Sequence, residues 1–270
     1  MAIFCDTHAH LDFDAFDEDR EAVIQRARAS GLQFVINIAI DLEASQKSLA
    51  LARNYPGFIF ATAGVHPNYS SNLDETVFTT IKHLATQPEV VAIGEIGLDY
   101  YRDYTTPLEQ VKALEAQLEL AQKLDLPVVI HERSSACELV PILTKWHQNL
   151  PESSWLKQNP GVMHAFSADA NFIKPLLDCG FCFGIGGPVT YKNAADKRTL
   201  VETLPLENML LETDCPFMPP QAHRGQRNEP AFIPLIAQKI AELRGLSPEE
   251  VGGQLTSNAR RVFGLQEKMH

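Results

Sequence analysis

The property that most constrains this 270-residue chain is an alternation of short apolar runs with segments of helical period. The runs are Ala2 to Cys5, Phe34 to Ile40, Phe58 to Val65, Val90 to Ile96, Pro127 to His131, Gly161 to Phe166, Phe181 to Gly186 and Met209 to Glu212, eight candidate strands. Helical signals fall between them, over Arg20 to Ala29, Leu42 to Arg53, Thr76 to Ala85, Thr106 to Asp125, Ala136 to Trp146, Ala170 to Cys179 and Ala194 to Leu204. Ser247-Pro248-Glu249-Glu250 opens a further helix. The clearest is the segment from Thr106, where Thr106-Pro107-Leu108-Glu109 forms a capping box and Val111, Leu114, Leu118, Ala121 and Leu124 lie on one stripe.

Strands buried on both faces read as near-continuous apolar runs, and intervening helices supply the covering layers. Eight such units fit a (β/α)8 TIM barrel, which takes about 250 residues, as one domain over residues 1–270. A doubly wound open sheet is the alternative, and it leaves the placement of the polar residues unexplained.

Those residues collect at the carboxyl ends of the runs. The first run leads to His8-Ala9-His10, the third to His66, the fourth to Glu95, the fifth to His131, the sixth to His164 and the eighth to Asp214. A strand returns to one face every second residue, so His8 and His10 can reach a single metal ion. Taken singly, each residue reads as a hydrogen-bonded histidine or a turn-capping carboxylate. In a closed barrel they converge on the face where barrel enzymes place their chemistry, and they would leave buried polar groups unpaired unless cations were bound. Imidazole and carboxylate ligands without thiolate suit Zn²⁺, Mn²⁺, Fe²⁺, Co²⁺ or Mg²⁺. Six ligands exceed the needs of one tetrahedral catalytic ion, so two divalent metal ions are expected, with Glu95 between them.

The motifs Asp6-Thr7-His8-Ala9-His10-Leu11-Asp12, Gly64-Val65-His66-Pro67, Gly94-Glu95-Ile96-Gly97-Leu98-Asp99-Tyr100, the His131 strand, His164-Ala165-Phe166-Ser167 and Glu212-Thr213-Asp214-Cys215-Pro216 together resemble the TatD family of metal-dependent deoxyribonucleases, within the amidohydrolase-like barrel superfamily. The resemblance runs essentially end to end. It extends to His223-Arg224-Gly225-Gln226-Arg227-Asn228-Glu229-Pro230, similar to the loop that follows strand eight in that family. It implies that His8, His10 and Asp214 hold one ion and His131 and His164 the other, with Glu95 shared. His66, Arg133 and Arg224 are candidate substrate contacts and Asp99 is a further candidate, while Arg227, Asn228 and Glu229 read as braces of their loop. Phosphotriesterases and dihydroorotases bridge their ions with a carboxylated lysine on strand four, where this chain has Glu95, in keeping with the TatD pattern.

The implied activity is hydrolysis of phosphodiester bonds by a metal-activated water, as in a DNase or exonuclease acting on single-stranded DNA ends. Glu95 and Asp214 are the catalytic carboxylates, Asp214 orienting the water and accepting its proton. Two other readings are a hydrolase of acyl bonds on a small molecule or aminoacyl-tRNA, and a non-catalytic metal-binding module.

A formal charge of −11 argues against broad electrostatic affinity for nucleic acid. Nucleic acid ends or a small phosphodiester must then be gripped locally, by Arg133, Lys192, Lys197, Arg198, Arg224 and Arg227 and by stacking on Phe13, Phe16, Tyr100 or Tyr101. Five cysteines without a paired framework, and no signal-peptide run, point to reduced thiols in the cytoplasm. No segment has the roughly 18 to 20 apolar residues of a membrane helix, and no obligate protein partner is evident.

Overall fold

A computed structural model describes residues 4–166 and 170–265. Its strands are β1 Phe4–Ala9, β2 Leu32–Asn37, β3 Ile59–Ala63, β4 Val90–Asp99, β5 Val128–Arg133, β6 Gly161–Met163, β7 Cys182–Ile185 and β8 Met209–Leu211. They form one sheet in chain order, every neighbouring pair parallel. The helices are α1 Arg20–Ala29, α2 Leu42–Asn54, α3 Glu75–Ala85, α4 Pro107–Leu124, α5 Ala136–Asn149, α6 Ile173–Asp178, α7 Ala195–Thr203, α8 Ile233–Arg244 and α9 Pro248–Val262. This is the (β/α)8 barrel that the alternation predicts. Ala2 and Ile3 of the first apolar run lie outside the described residues.

The two faces of the strands bury different partners. One set of side chains packs against the helices. The other, including Cys5, Phe34, Phe60, Ala92, Val129, Val162, Cys182 and Leu210, fills the barrel interior together with Val262, Phe263 and Leu265 from the end of α9. Two-residue periodicity carries this inner set up to the functional end: Val129 to His131 and Arg133, Val162 to His164, Leu210 to Glu212 and Asp214. On β1 and β4 the parity breaks between Cys5 and His8 and between Ala92 and Glu95, and both strands carry register shifts there. Such irregularities re-aim side chains beside active sites.

The barrel is closed by side-chain and loop contacts at the seam between its first and last strands. Asp214 N donates to His8 O at 2.8 Å, and His10 N donates to Cys215 O at 2.9 Å. Below them, Asp6 Oδ1 accepts from Thr213 N at 3.0 Å and Oδ2 from Thr213 Oγ1 at 2.5 Å. The ligand candidates His8, His10 and Asp214 therefore sit on the closing seam.

Two helical expectations change. Ala170 to Cys179 divides into a 3₁₀ turn at Ala170–Phe172 and the short α6. Helix α8 is additional, and buries Ile233, Ile236, Ala237, Ile240 and Ala241. Pro230 and Pro234 conceal it in the sequence, yet Pro234 stands in the first turn, where a missing N–H is harmless. All five cysteines are free thiols. Among the described residues no helix is long and apolar enough to cross a membrane.

Candidate metal centre and substrate cavity

The six ligand candidates meet at the carboxyl end of the barrel. Glu95 stands at their middle, with Oε2 3.4 Å from His8 Nε2 and Oε1 2.9 Å from His131 Nδ1. Asp214 Oδ1 lies 3.5 Å from His10 Nε2, 3.7 Å from His164 Nε2 and 3.8 Å from His8 Nε2. Asp214 adopts a left-handed backbone with φ of 58°, a conformation that Asp tolerates better than most residues.

Neighbouring groups set the state of each imidazole. His10 Nδ1 faces Ile38 O at 3.0 Å, so it carries the proton and leaves Nε2 as the ligand atom. His8 is buried with neither ring nitrogen hydrogen-bonded, and its pKa is lowered by burial and by neighbouring His164. Burial opposes charge on His131 and His164 as well, but their carboxylate neighbours outweigh it. Asp99 and Glu95 push His131 up to about 9, and Glu212 and Asp214 push His164 up to about 10.

The donor set fits divalent cations. Both nitrogens of buried His8 lack partners, a costly arrangement that ligation relieves at one of them. The separations of 3.4 to 3.8 Å around Glu95 and Asp214 are close to those of two ligands on one tetrahedral ion, about 3.4 Å for bonds near 2.1 Å. Ligand atoms within 4.8 Å of one another define the groups His8, His164 and Asp214; His8, His10 and Glu95; and His66, Glu95 and His131.

Within these groups His164 falls with His8 and Asp214, and His131 with Glu95 and His66. Behind His164 stands Glu212, whose Oε1 accepts from Ala165 N at 2.9 Å while Oε2 lies 3.2 Å from His164 Nδ1. That carboxylate turns the ring toward the seam, where it stacks on His8 at 3.4 Å between centroids. Gly184 makes this possible, because a Cβ there would overlap the Glu212 carboxylate.

His66 joins the cluster, its Nε2 3.8 Å from Glu95 Oε1. Burial lowers its pKa to about 3, and Nδ1 accepts from Asn68 N at 3.1 Å, which places the proton on Nε2. His66 thus offers an N–H to the cleft rather than a lone pair. Asp99 holds the outer side of His131, with Oδ2 3.1 Å from Nε2.

A cavity of about 460 Å³ opens beside the cluster, with His131, His164 and Asp214 at its base and Phe166, Ile185, Val189, Leu200 and Met218 along its walls. Arg133 is at its rim, and its guanidinium lies 4.0 Å over the Tyr101 ring. Arg224 lies 4.6 Å over the ring of Tyr191, another lining residue. Several other expected contacts are engaged elsewhere. Lys197 Nζ donates to Phe166 O at 2.6 Å and Arg198 to Tyr191 O at 2.7 Å, so both brace backbone. Phe16 is fully buried beneath Arg227 and presents no stacking surface, and Tyr100 donates its hydroxyl to Glu138. The loop after β8 is braced as the sequence suggests: Arg227 bonds Asp19 at 2.7 Å, Glu229 pairs with Arg26 at 2.6 Å, and Asn228 Nδ2 donates to Thr213 O at 2.8 Å. Ser167 lies outside the described residues.

A family profile described as "TatD related DNase" matches residues 5–264. The chain belongs to that family. It is 37% identical over 265 residues to a protein of Erwinia billingiae named 3'-5' ssDNA/RNA exonuclease TatD, with 96% of this chain and 98% of that protein covered. It is 35% identical over 260 residues to the Bacillus subtilis protein named uncharacterized metal-dependent hydrolase YabD, again with 96% and 98% covered. The crystal structure of YJJV, a TatD homolog from Escherichia coli, superposes with a TM-score of 0.88 at 34% identity, covering 97% of this chain and 98% of that one. This TatD-family chain is accordingly a metal-dependent hydrolase of the nuclease class, the activity class that its motifs imply.

Proposed function

We propose that this TatD-family protein removes nucleotides from the ends of single-stranded DNA or RNA, with two divalent ions, Mg²⁺, Mn²⁺ or Zn²⁺, held by the barrel-mouth cluster. The observation that carries this reading is the buried histidine and carboxylate cluster at the base of a cavity whose rim bears Arg133. The likeness to the Erwinia protein named as a 3'-5' ssDNA/RNA exonuclease supports strand ends as the substrate.

His8, His10 and Asp214 would hold one ion and His131 and His164 the other, with Glu95 common to both. When bound, divalent cations acidify water and neutralise charge on a phosphate. The protein groups do the rest. Asp214, held ionised by its imidazole neighbours despite burial, orients the attacking water and accepts its proton. Arg133 presents a two-pronged donor to a non-bridging phosphate oxygen pair. His66 directs Nε2–H toward the leaving oxygen, and Arg224 with Tyr191 closes the far side of the cavity. The apolar walls receive the terminal base and sugar.

The test is cleavage of end-labelled single-stranded DNA by chelator-stripped protein, with Mg²⁺, Mn²⁺ and Zn²⁺ added separately and Glu95→Ala as control. Stepwise shortening that requires metal and is absent in the variant is expected. Intact DNA under every ion, together with cleavage of an acyl ester, would replace this reading with an acyl-bond hydrolase.

A further inference from the structure

Two aromatic shelves flank the cluster, and they differ in charge. On the seam side Phe13 stacks on His10 at 4.7 Å and Phe217, 50% exposed, meets Phe13 edge-on at 6.1 Å. Asp12, Asp14, Asp41 and Glu43 line the hollow beside them, Lys47 there is paired with Glu43 at 2.8 Å, and nearby Arg20 and Arg227 are paired with Asp17 and Asp19. On the β4 side Tyr101 and Tyr104 are 63% and 65% exposed. Arg133 lies over Tyr101, and Arg102 lies 5.6 Å from the Tyr101 ring and 5.9 Å from that of Tyr104. Among the described residues neither arginine forms an ion pair, although the exposed Asp103 adjoins Arg102. A nucleic acid strand carries a negative charge at each phosphate, so the first shelf repels it and the second attracts it.

The tyrosine shelf is fixed to the reacting centre. Asp99 Oδ1 accepts from the backbone N of Tyr101 and of Arg102, both at 3.0 Å, while Oδ2 contacts His131. One carboxylate thus positions both the shelf and a ligand candidate. Arg133 joins the two regions, lining the cavity on one side and stacking on Tyr101 on the other.

We propose that Tyr101, Tyr104 and Arg102, continuous with Arg133, form a platform for the part of a single strand that lies beyond the scissile phosphate, outside the cavity that takes the terminal nucleotide. This rests on the phosphodiesterase reading above. Aromatic faces accept any base by stacking, and arginines between them meet successive phosphates, which suits a sequence-tolerant grip. The platform accounts for how so acidic a chain holds a polyanion: the grip is local and lies along one loop.

The test compares KM and kcat on a thymidine dinucleotide and on a thymidine decamer for the metal-loaded enzyme, its Tyr101→Ala, Tyr104→Ala and Arg102→Ala variants, and Lys123→Ala at the far end of α4. The wild-type KM is expected to fall with length. Each tyrosine variant should raise the decamer KM about fivefold or more, with kcat changed less than about twofold. Arg102→Ala should reduce the slope of log KM against log salt by about 0.7. Lys123→Ala should match the wild type on both substrates. Equal wild-type KM values for the two lengths, or tyrosine variants with the wild-type decamer KM, would overturn the platform and leave the phosphodiesterase reading standing. A wild type that cleaves neither substrate would remove both.

Discussion

The carboxylate of Glu212 lies 3.2 Å from Nδ1 of His164, in space left by the missing side chain of Gly184. Its other oxygen accepts from Ala165 N, so one buried group holds both the ring and the backbone of the turn that carries it. A carboxylate behind an imidazole fixes which nitrogen faces the metal and raises its basicity.

Gly184→Ala should therefore displace Glu212 and free the His164 ring. Metal affinity is expected to fall about 10- to 100-fold, read by chelator competition. Glu212→Gln, which keeps the volume and removes the charge, should shift affinity in the same direction while circular dichroism stays native. Wild-type affinity in both variants would show that Glu212 does not position His164.

Cation binding should release protons. The folded pKa values of His131 and His164, about 9 and about 10, keep both rings charged at neutral pH when no ion is bound, and ligation requires them neutral. Calorimetry of stripped protein in buffers of different ionisation enthalpy should show net proton release at pH 7, and affinity should rise with pH. Both values lie above the ordinary 6.5, so the stripped protein retains this stabilisation below about pH 6.5 and loses it as pH rises through about 9 to 10. Binding without proton release would mean that these two rings are already neutral at pH 7 or do not meet the ion.

Asn37, at the end of β2, is a buried hub. Its Oδ1 accepts from Leu11 N at 2.6 Å, and its Nδ2 donates to Asp12 Oδ1 at 2.8 Å and to Ser48 Oγ at 3.1 Å. Asn37→Ala should lose about 2 to 4 kcal/mol in urea denaturation, because it leaves a buried N–H and a buried carboxylate without their partner. A loss below about 1 kcal/mol would mean that water replaces the amide.

Most strands are legible because they are buried, parallel and apolar on both faces, β1 with Asp6, Thr7 and His8 being the exception, and the site is legible where period two carries an inner residue such as Val129 or Val162 to His131 or His164. On β1 and β4 the register shifts hide that parity, and only the H-x-H spacing and the surrounding motifs signal His8, His10 and Glu95. Glu212 was visible as a strand end, yet its role depends on Gly184 of the neighbouring strand, a cross-strand relation that one sequence does not contain. Arg102 and Tyr104 are silent in the sequence because an isolated Arg or Tyr in a loop carries no periodic signal.

Asp214 is both a ligand candidate and the proposed proton acceptor, and Asp214→Asn separates these roles. Asn adopts the left-handed backbone as readily as Asp, so the contacts from Asp214 N to His8 O and from Phe217 N to Asp214 O should persist. The amide keeps one oxygen toward His10, His8 and His164 but has little affinity for a proton. Turnover is expected to fall about a hundredfold or more with little change in melting temperature, as for loss of a general base. Metal content measured on the same sample decides the cause. A variant that retains its metal and loses turnover assigns Asp214 to proton transfer, and one that loses both assigns it to ligation. Full turnover with metal bound would remove it from the chemistry, leaving Glu95 as the carboxylate nearest the reacting water.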